Sequence, residues 1–97
     1  MSGTSLVAEQ LRMAIDEPLL AKGYLPTETI RAEGAKLFVE MRKDRREPSN
    51  TYTTKVVLIA EILSAYPGFV VESTNHPKPS TVVWVLRPQE PPKPTFP

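Results

Sequence analysis

The most concentrated charge in this chain lies within five consecutive positions, at Arg42, Lys43, Arg45 and Arg46. Guanidinium and ammonium groups bind phosphate through their charge, and arginine adds forked hydrogen bonds. The cluster at 42–46, which we call the basic loop, is therefore a candidate for binding nucleic acid or an acidic partner. The alternative is a hydrated surface connection, since Asp44 and Glu47 supply local counter-charges and charge in a connection stays solvated.

Three side chains elsewhere in the chain are candidates for the same binding site. Phe38 falls in a predicted strand beside Lys36, and an exposed aromatic ring there would stack on an unpaired base. The alternative is that Phe38 packs beneath a helix. Lys78 falls on a predicted connection between two strands. The full set of predicted binding residues, for nucleic acid or an acidic partner, is Lys36, Phe38, Arg42, Lys43, Arg45, Arg46 and Lys78.

The overall charge limits what the basic loop can do. Twelve Lys and Arg against eleven Asp and Glu give a net charge of +1, which argues against a protein whose whole surface attracts nucleic acid. Any such binding must rest on a local patch. Neutralising about four phosphates predicts a log–log salt dependence with a slope of roughly −3 to −4.

His76 is the only histidine, and Asn75, Pro77 and Lys78 around it offer neither a metal-ligand spacing nor a carboxylate partner. The one catalytic hypothesis is a small hydrolase that uses His76 with Lys78 and Tyr52. The acidic residues are scattered and the four glycines dispersed, so neither a paired-carboxylate site nor a phosphate loop is indicated. The sequence therefore predicts no enzyme, and no cofactor, metal or small-molecule ligand.

Length and composition predict one domain with a modest core. With 97 residues, 40% of them hydrophobic and 24% charged, the chain has an ordinary globular composition and room for a single core. Cysteine is absent, so stability must come from packing. The N-terminus has no basic start followed by an apolar run, and no stretch approaches the ~20 apolar residues that span a bilayer. We expect a cytoplasmic protein without membrane contact.

The first predicted element of the chain is a helix at 5–22. Thr4 or Ser5 is the predicted cap, because a short side-chain oxygen accepts a hydrogen bond from the first turn. Pro18 lacks a backbone N–H, so a kink or restart is expected there before Gly23 ends the helix. The predicted inner face consists of Val7, Leu11, Ala14 and Ile15.

A strand is predicted to end where the basic loop begins. Leu37, Val39 and Met41 alternate with polar or aromatic residues, which is the period of a half-buried strand. A tight turn at Glu33 and Gly34 would link this strand to an extended segment at 27–32.

The stretch "TYTTKVVLIAEILSAYPG" is ambiguous, because its β-branched residues favour a strand by propensity. Its length and its Pro67-Gly68 ending favour a helix at 52–66, with cap candidates at 49–53. Apolar residues occupy most of its circumference and leave Glu61 and Ser64 as a narrow polar stripe. This pattern predicts burial on nearly all sides, or a partner surface.

The C-terminal third predicts two antiparallel strands and a tail. "FVVE" and "TVVWVLR" flank the connection "STNHPKPS", and Trp84 among valines is a predicted core residue. Five prolines in the last ten residues predict a flexible tail at 87–97. Its "PQEPPK" pattern matches ligands of aromatic grooves, with a merely disordered end as the alternative.

Together these elements predict a two-layer α+β domain at 1–86, in which two helices cover an antiparallel sheet of three or four strands in the order α-(β)β-α-β-β. One sheet face would stay open, with the basic loop and Phe38 near it.

We predict a small non-enzymatic binding or adaptor protein that works through protein–protein contacts, including the modulation or inhibition of a larger complex. The partner is another protein or a second copy of the chain. The apolar helix at 51–66 and an edge strand at 81–86 are the predicted contact surfaces, by packing and by strand addition. The alternative function is nucleic-acid binding through the basic loop.

Overall fold

A computed structural model describes residues 3–24, 28–74 and 77–89 of the chain, apart from the side chains of residues 3–5 and 28. Within these ranges, two helices lie on one face of a four-stranded antiparallel sheet, which confirms the predicted α+β fold and its element order. The elements are α1 (Gly3–Ala21), β1 (Glu28–Glu33), β2 (Lys36–Arg42), α2 (Ser49–Ala65), β3 (Phe69–Thr74) and β4 (Thr81–Pro88).

Helix α1 begins earlier than predicted and is not interrupted. It starts at Gly3, so Thr4 and Ser5 lie within the first turn instead of preceding it. Of the kink or restart expected at Pro18, the restart does not occur: the helix continues as one element to Ala21. The nearest inward-facing side chains before and after the proline are fully buried, and such packing outweighs the loss of one backbone hydrogen bond.

The end of α1 follows the prediction. Gly23 has φ +83°, a left-handed conformation that glycine adopts without steric cost. Its N–H donates to Leu20 O at 3.0 Å, and Tyr24 N–H donates to Leu19 O at 2.9 Å. These bonds satisfy carbonyls that the last turn leaves without helical partners.

The inner face of α1 is close to the predicted one. Leu11, Ile15 and Leu19 are fully buried, and Val7 packs against the core. Ala14 was predicted to share this face but is exposed, because it lies at the margin of the buried stripe.

The hairpin predicted between β1 and β2 is confirmed, with its turn one residue later. Glu33 faces Lys36 in the antiparallel register, so the loop residues are Gly34 and Ala35. Gly34 has φ +60°, and Ala35 does not have a positive φ. A positive φ at the first loop position only is typical of a type II′ turn, whose twist matches that of the strands.

The core forms between the helices and one sheet face. Leu37, Val39 and Met41 of β2 are fully buried, as their alternation predicts. Trp84 of β4 joins them at 8% exposure, so its predicted place in the core is confirmed. The other buried members of the cluster are Leu11, Ile15, Leu19, Ile59, Leu63 and Leu86.

The ambiguous apolar stretch is a helix, as predicted, but it is not buried all round. Helix α2 buries Lys55, Ile59 and Leu63, positions that recur every four residues on one face. Val57 on the outer side is 51% exposed. The prediction of burial on nearly all sides is therefore wrong, because the described residues cover only one side of the helix. The alternative, a partner surface, stays a prediction.

The strand order of the sheet is β1-β2-β4-β3, and it corrects the prediction about its edges. The segment at 81–86 belongs to β4, which lies inside the sheet between β2 and β3. The edge strands are β1 and β3. Strand β4 continues through Arg87 and Pro88, so the predicted start of the tail at Arg87 is too early. Residues 90–97 lie outside the described part of the chain.

Candidate binding surfaces

Two of the four cations in the basic loop are held by neighbouring side chains. Arg42 Nε lies 2.7 Å from Glu40 Oε1. Lys43 Nζ donates to Ser49 Oγ at 3.1 Å and lies 5.8 Å from the centre of the Tyr52 ring. The Glu40 carboxylate lowers the attraction of Arg42 for an external anion, and the Ser49 and Tyr52 contacts hold Lys43 against α2.

Arg45 and Arg46 are the available cations of the basic loop. Both are exposed, and neither forms an ion pair with any residue that the structure describes. Asp44 organises the turn around them, since its Oδ1 accepts a hydrogen bond from Arg46 N at 3.1 Å and its backbone O accepts one from Glu47 N at 3.0 Å. The loop therefore has a defined backbone that projects two guanidinium groups.

The connection that carries Lys78 lies beside the basic loop. Ser80 O accepts hydrogen bonds from Lys43 N at 2.9 Å and from the Tyr52 hydroxyl at 3.2 Å. Lys78 is exposed, and its backbone O accepts a bond from Thr81 N at 3.1 Å. The fold thus brings Lys78 to the same end of the sheet as the basic loop.

The remaining predicted site residues do not gather there. Lys36 opens β2 and Arg42 closes it, so their α-carbons are about 20 Å apart at the rise of an extended strand. Phe38 lies between them on the open sheet face. His76 of the hydrolase hypothesis lies outside the described residues.

The open face of the sheet is rich in charge but balanced. Arg31 Cζ lies 4.8 Å above the centre of the Phe38 ring, so Phe38 is stacked by a cation and not covered by a helix. Arg31 also lies 3.9 Å from Glu33, and Arg87 lies 2.5 Å from Glu72. With the Arg42 pair, each of these arginines has a carboxylate beside it, which leaves this face little net attraction for phosphate.

A buried ion pair that is not among the predicted contacts holds the basic loop to α2. Lys55 Nζ lies 2.9 Å from Glu47 Oε1, and their side chains are only 2% and 12% exposed. Glu47 Oε2 is buried without a hydrogen-bond partner in the described part of the structure. Because Glu47 precedes α2 and Lys55 lies two turns into it, the pair fixes how the loop enters the helix.

Tyr52 sits next to this pair and is held in its protonated form. Burial raises the pKa of Tyr52 above its ordinary value of 10.0, and the negative charge of Glu47 raises the pKa further. A protonated hydroxyl is the donor that the hydrogen bond to Ser80 O requires. The same shift opposes the use of Tyr52 as a base in the hydrolase hypothesis.

The outer side of α1 carries an apolar stripe that is not among the predicted contact surfaces. Leu6, Met13 and Leu20 are 59%, 65% and 58% exposed. Their spacing of seven residues is close to two helical turns, so they form one line on the side opposite the buried face. We call these three residues the α1 stripe. The seven-residue spacing was the signal that could have revealed it.

Acidic residues border the α1 stripe. Glu9 and Glu17 are exposed and lie on either side of it by helical periodicity. Arg12, the basic residue of α1, lies 3.7 Å from Asp16 one turn away. The stripe is therefore an apolar line with negative flanks.

Comparison with known proteins gives no relative: no family model, curated protein or solved structure matches the chain. Within the described residues, no helix is both long and apolar enough to cross a membrane.

Proposed function

We propose that this chain is a binding adaptor that acts through protein contacts, and that its partner docks an amphipathic helix with basic flanks along the α1 stripe. The observation that carries the proposal is the exposure of Leu6, Met13 and Leu20 in one line, on the side of α1 that faces away from the core. Singly exposed apolar residues are ordinary, but an aligned set is typical of a helix-docking surface.

Apolar burial at the α1 stripe would supply part of the free energy of binding. Burying the exposed part of each of the three side chains is worth roughly 1 kcal/mol. Lys or Arg on the partner would meet Glu9 and Glu17, which are exposed beside the stripe. Such complementary charge mainly raises the association rate and the specificity.

A matched set of variants tests this proposal. The triple variant Leu6→Gln, Met13→Gln, Leu20→Gln removes the stripe, and it should fold normally because all three positions are largely exposed. Ala14→Gln adds the same amide at an exposed position of α1 outside the stripe. Proteins that co-purify from the host with the wild type should be retained by Ala14→Gln and lost by the triple variant. Equal recovery by all three chains would refute the proposal.

Nucleic-acid binding through the basic loop is a second candidate function. It is supported by the exposure of Arg45 and Arg46 without ion-pair partners among the described residues. Since Lys43 and Arg42 are held by neighbours, two or three neutralised phosphates are expected, with a salt slope of roughly −2 to −3. Arg45→Ala with Arg46→Ala should flatten this slope, whereas the control Arg87→Ala should not. Binding that ignores salt would exclude this candidate.

A further inference from the structure

The outer edge of β3 presents backbone groups that no described strand pairs. The hydrogen bond from Gln89 N to Gly68 O, 2.9 Å long, fixes which β3 residues bond to β4. Because bonded and non-bonded pairs alternate in an antiparallel ladder, the N–H and C=O of every second β3 residue point away from β4. These residues are Phe69, Val71 and Ser73.

The two edges of the sheet differ in how they are protected. Strand β1 reads ETIRAE and carries Glu28, Arg31 and Glu33, and charge on an edge discourages the addition of another strand. Strand β3 reads FVVEST, without lysine, arginine or proline. Its single acid, Glu72, lies 2.5 Å from Arg87. The edge at β3 is therefore open to strand addition.

We propose that a second copy of this chain pairs with β3 in the antiparallel direction, with Val71 on the two-fold axis. In this register Val71 faces the partner's Val71, and Phe69 faces the partner's Ser73. All of these residues point their N–H and C=O groups outward, so each facing pair exchanges two hydrogen bonds. The result is a continuous eight-stranded sheet across the dimer.

The side chains fit the same register. Phe69 is the largest residue of β3 and meets the partner's Ser73, which is small. Val70, which is 42% exposed, meets the partner's Glu72 on the open face. No like charges stand directly opposite each other, which is the arrangement that cross-strand pairs require.

Helix α2 presents a surface above this edge that suits a second copy. Helix α1 packs on β1 and β2, and α2 packs on β3 in the same layer, so the side of α2 turned away from α1 lies over the β3 edge. Val56, Ala60 and Ser64 recur every four residues on that side. Together with Val57, Glu61 and Ala65 they line a shallow hollow of about 550 Å³. Small residues there let the two α2 helices approach each other.

This surface favours a second copy over an unrelated peptide as the occupant. An extended peptide would pair the backbone of β3 but leave the hollow along α2 uncovered. A second copy satisfies both surfaces with one two-fold axis, as closed homodimers do.

Sedimentation equilibrium over a concentration series tests the dimer. The wild type should be in monomer–dimer equilibrium. Ser73→Pro removes an outward N–H from an exposed edge position without touching the bonds to β4, and it should raise the dimer dissociation constant about tenfold or more, because each dimer loses two hydrogen bonds. Ser73→Lys places charge at the same edge and should also raise the dimer dissociation constant. It replaces the proline variant in this test if that variant unfolds. The Gln variant of the α1 stripe should dimerise like the wild type.

A disulfide test fixes the register. The chain contains no cysteine, so the single variant Val71→Cys provides one thiol, next to its copy on the proposed axis. The α-carbons of a bonded pair are about 5.5 Å apart, within the range that a disulfide spans. Oxidation should cross-link Val71→Cys and leave the β1 control Thr29→Cys uncross-linked. A wild type that stays monomeric throughout, or equal cross-linking of both variants, would overturn the proposal.

Discussion

Lys55 Nζ donates a hydrogen bond to Glu47 Oε1 across 2.9 Å, in a pair whose side chains are 2% and 12% exposed. One partner lies on the inner face of α2 and the other in the connection that leads from the basic loop. A salt bridge of this kind adds little stability compared with apolar residues, but removal of one partner leaves a buried charge. The pair therefore links the position of the loop to the packing of the core.

We predict that Lys55→Met destabilises the fold by about 3 kcal/mol, because Glu47 is left without its cationic partner in a largely buried site. Equilibrium unfolding in urea at neutral pH measures this change. The double variant Lys55→Met, Glu47→Leu should recover most of the loss, since neither charge remains. A single variant as stable as the wild type would show that Glu47 is solvated.

Gly34→Ala should destabilise the hairpin by about 1 kcal/mol, because φ +60° at this position is costly for a residue with a Cβ atom. A Cβ atom built there meets no atom within 4 Å, so the cost is conformational and not steric contact. Ala35→Gly is the control at the second loop position and should cost less. Thermal and urea unfolding of both variants would check the order.

Burial and the charge of Glu47 raise the pKa of Tyr52, so its component in the tyrosine absorbance titration should have a midpoint above pH 10.0. Tyr52→Phe should remove this component. The same pKa shift makes the stability of the fold depend on pH. The folded state holds the Tyr52 proton more tightly than the unfolded state does. This difference stabilises the fold below pH 10, and the stabilisation is lost as the pH rises through the raised pKa. A difference titration between wild type and variant with an ordinary midpoint would contradict this.

Ile59→Ala and Val57→Ala should differ strongly although they lie two residues apart in α2. Ile59 is fully buried and Val57 is 51% exposed. The first change leaves a cavity and should cost about 2–5 kcal/mol, while the second should stay within about 0.5 kcal/mol. If urea unfolding showed a similar loss of unfolding free energy for both variants, the outer side of α2 would have to be covered in solution.

Local patterns in the sequence were enough for most of the fold. The alternation of Leu37, Val39 and Met41 determined both the strand and its buried face, because adjacent side chains of a strand point to opposite sides. The length and ending of the apolar stretch outweighed its β-branched composition and identified α2. Gly34 indicated the hairpin. The predicted turn has Gly34 as its second residue, whereas the structure has it as the first loop residue.

Relationships between distant segments were beyond these patterns. The prediction that the last strand lies at an edge is wrong, since strand order depends on which hairpins pack side by side and not on local composition. No local pattern indicates the burial of Lys55, because a lysine is seldom buried and its carboxylate partner belongs to a connection. Lys36 and Arg42 share a strand, yet the rise of that strand separates them by about 20 Å.

The two edges of this sheet differ in charge, and this difference bears on how many copies could join by strand pairing. If two copies meet at β3, the assembly has only its two β1 edges left, and these carry Glu28, Arg31 and Glu33. A third copy would find no uncharged edge to extend. In the proposed dimer, strand pairing would therefore stop at two copies, and the apolar β3 edges would not be available for polymerisation into fibres.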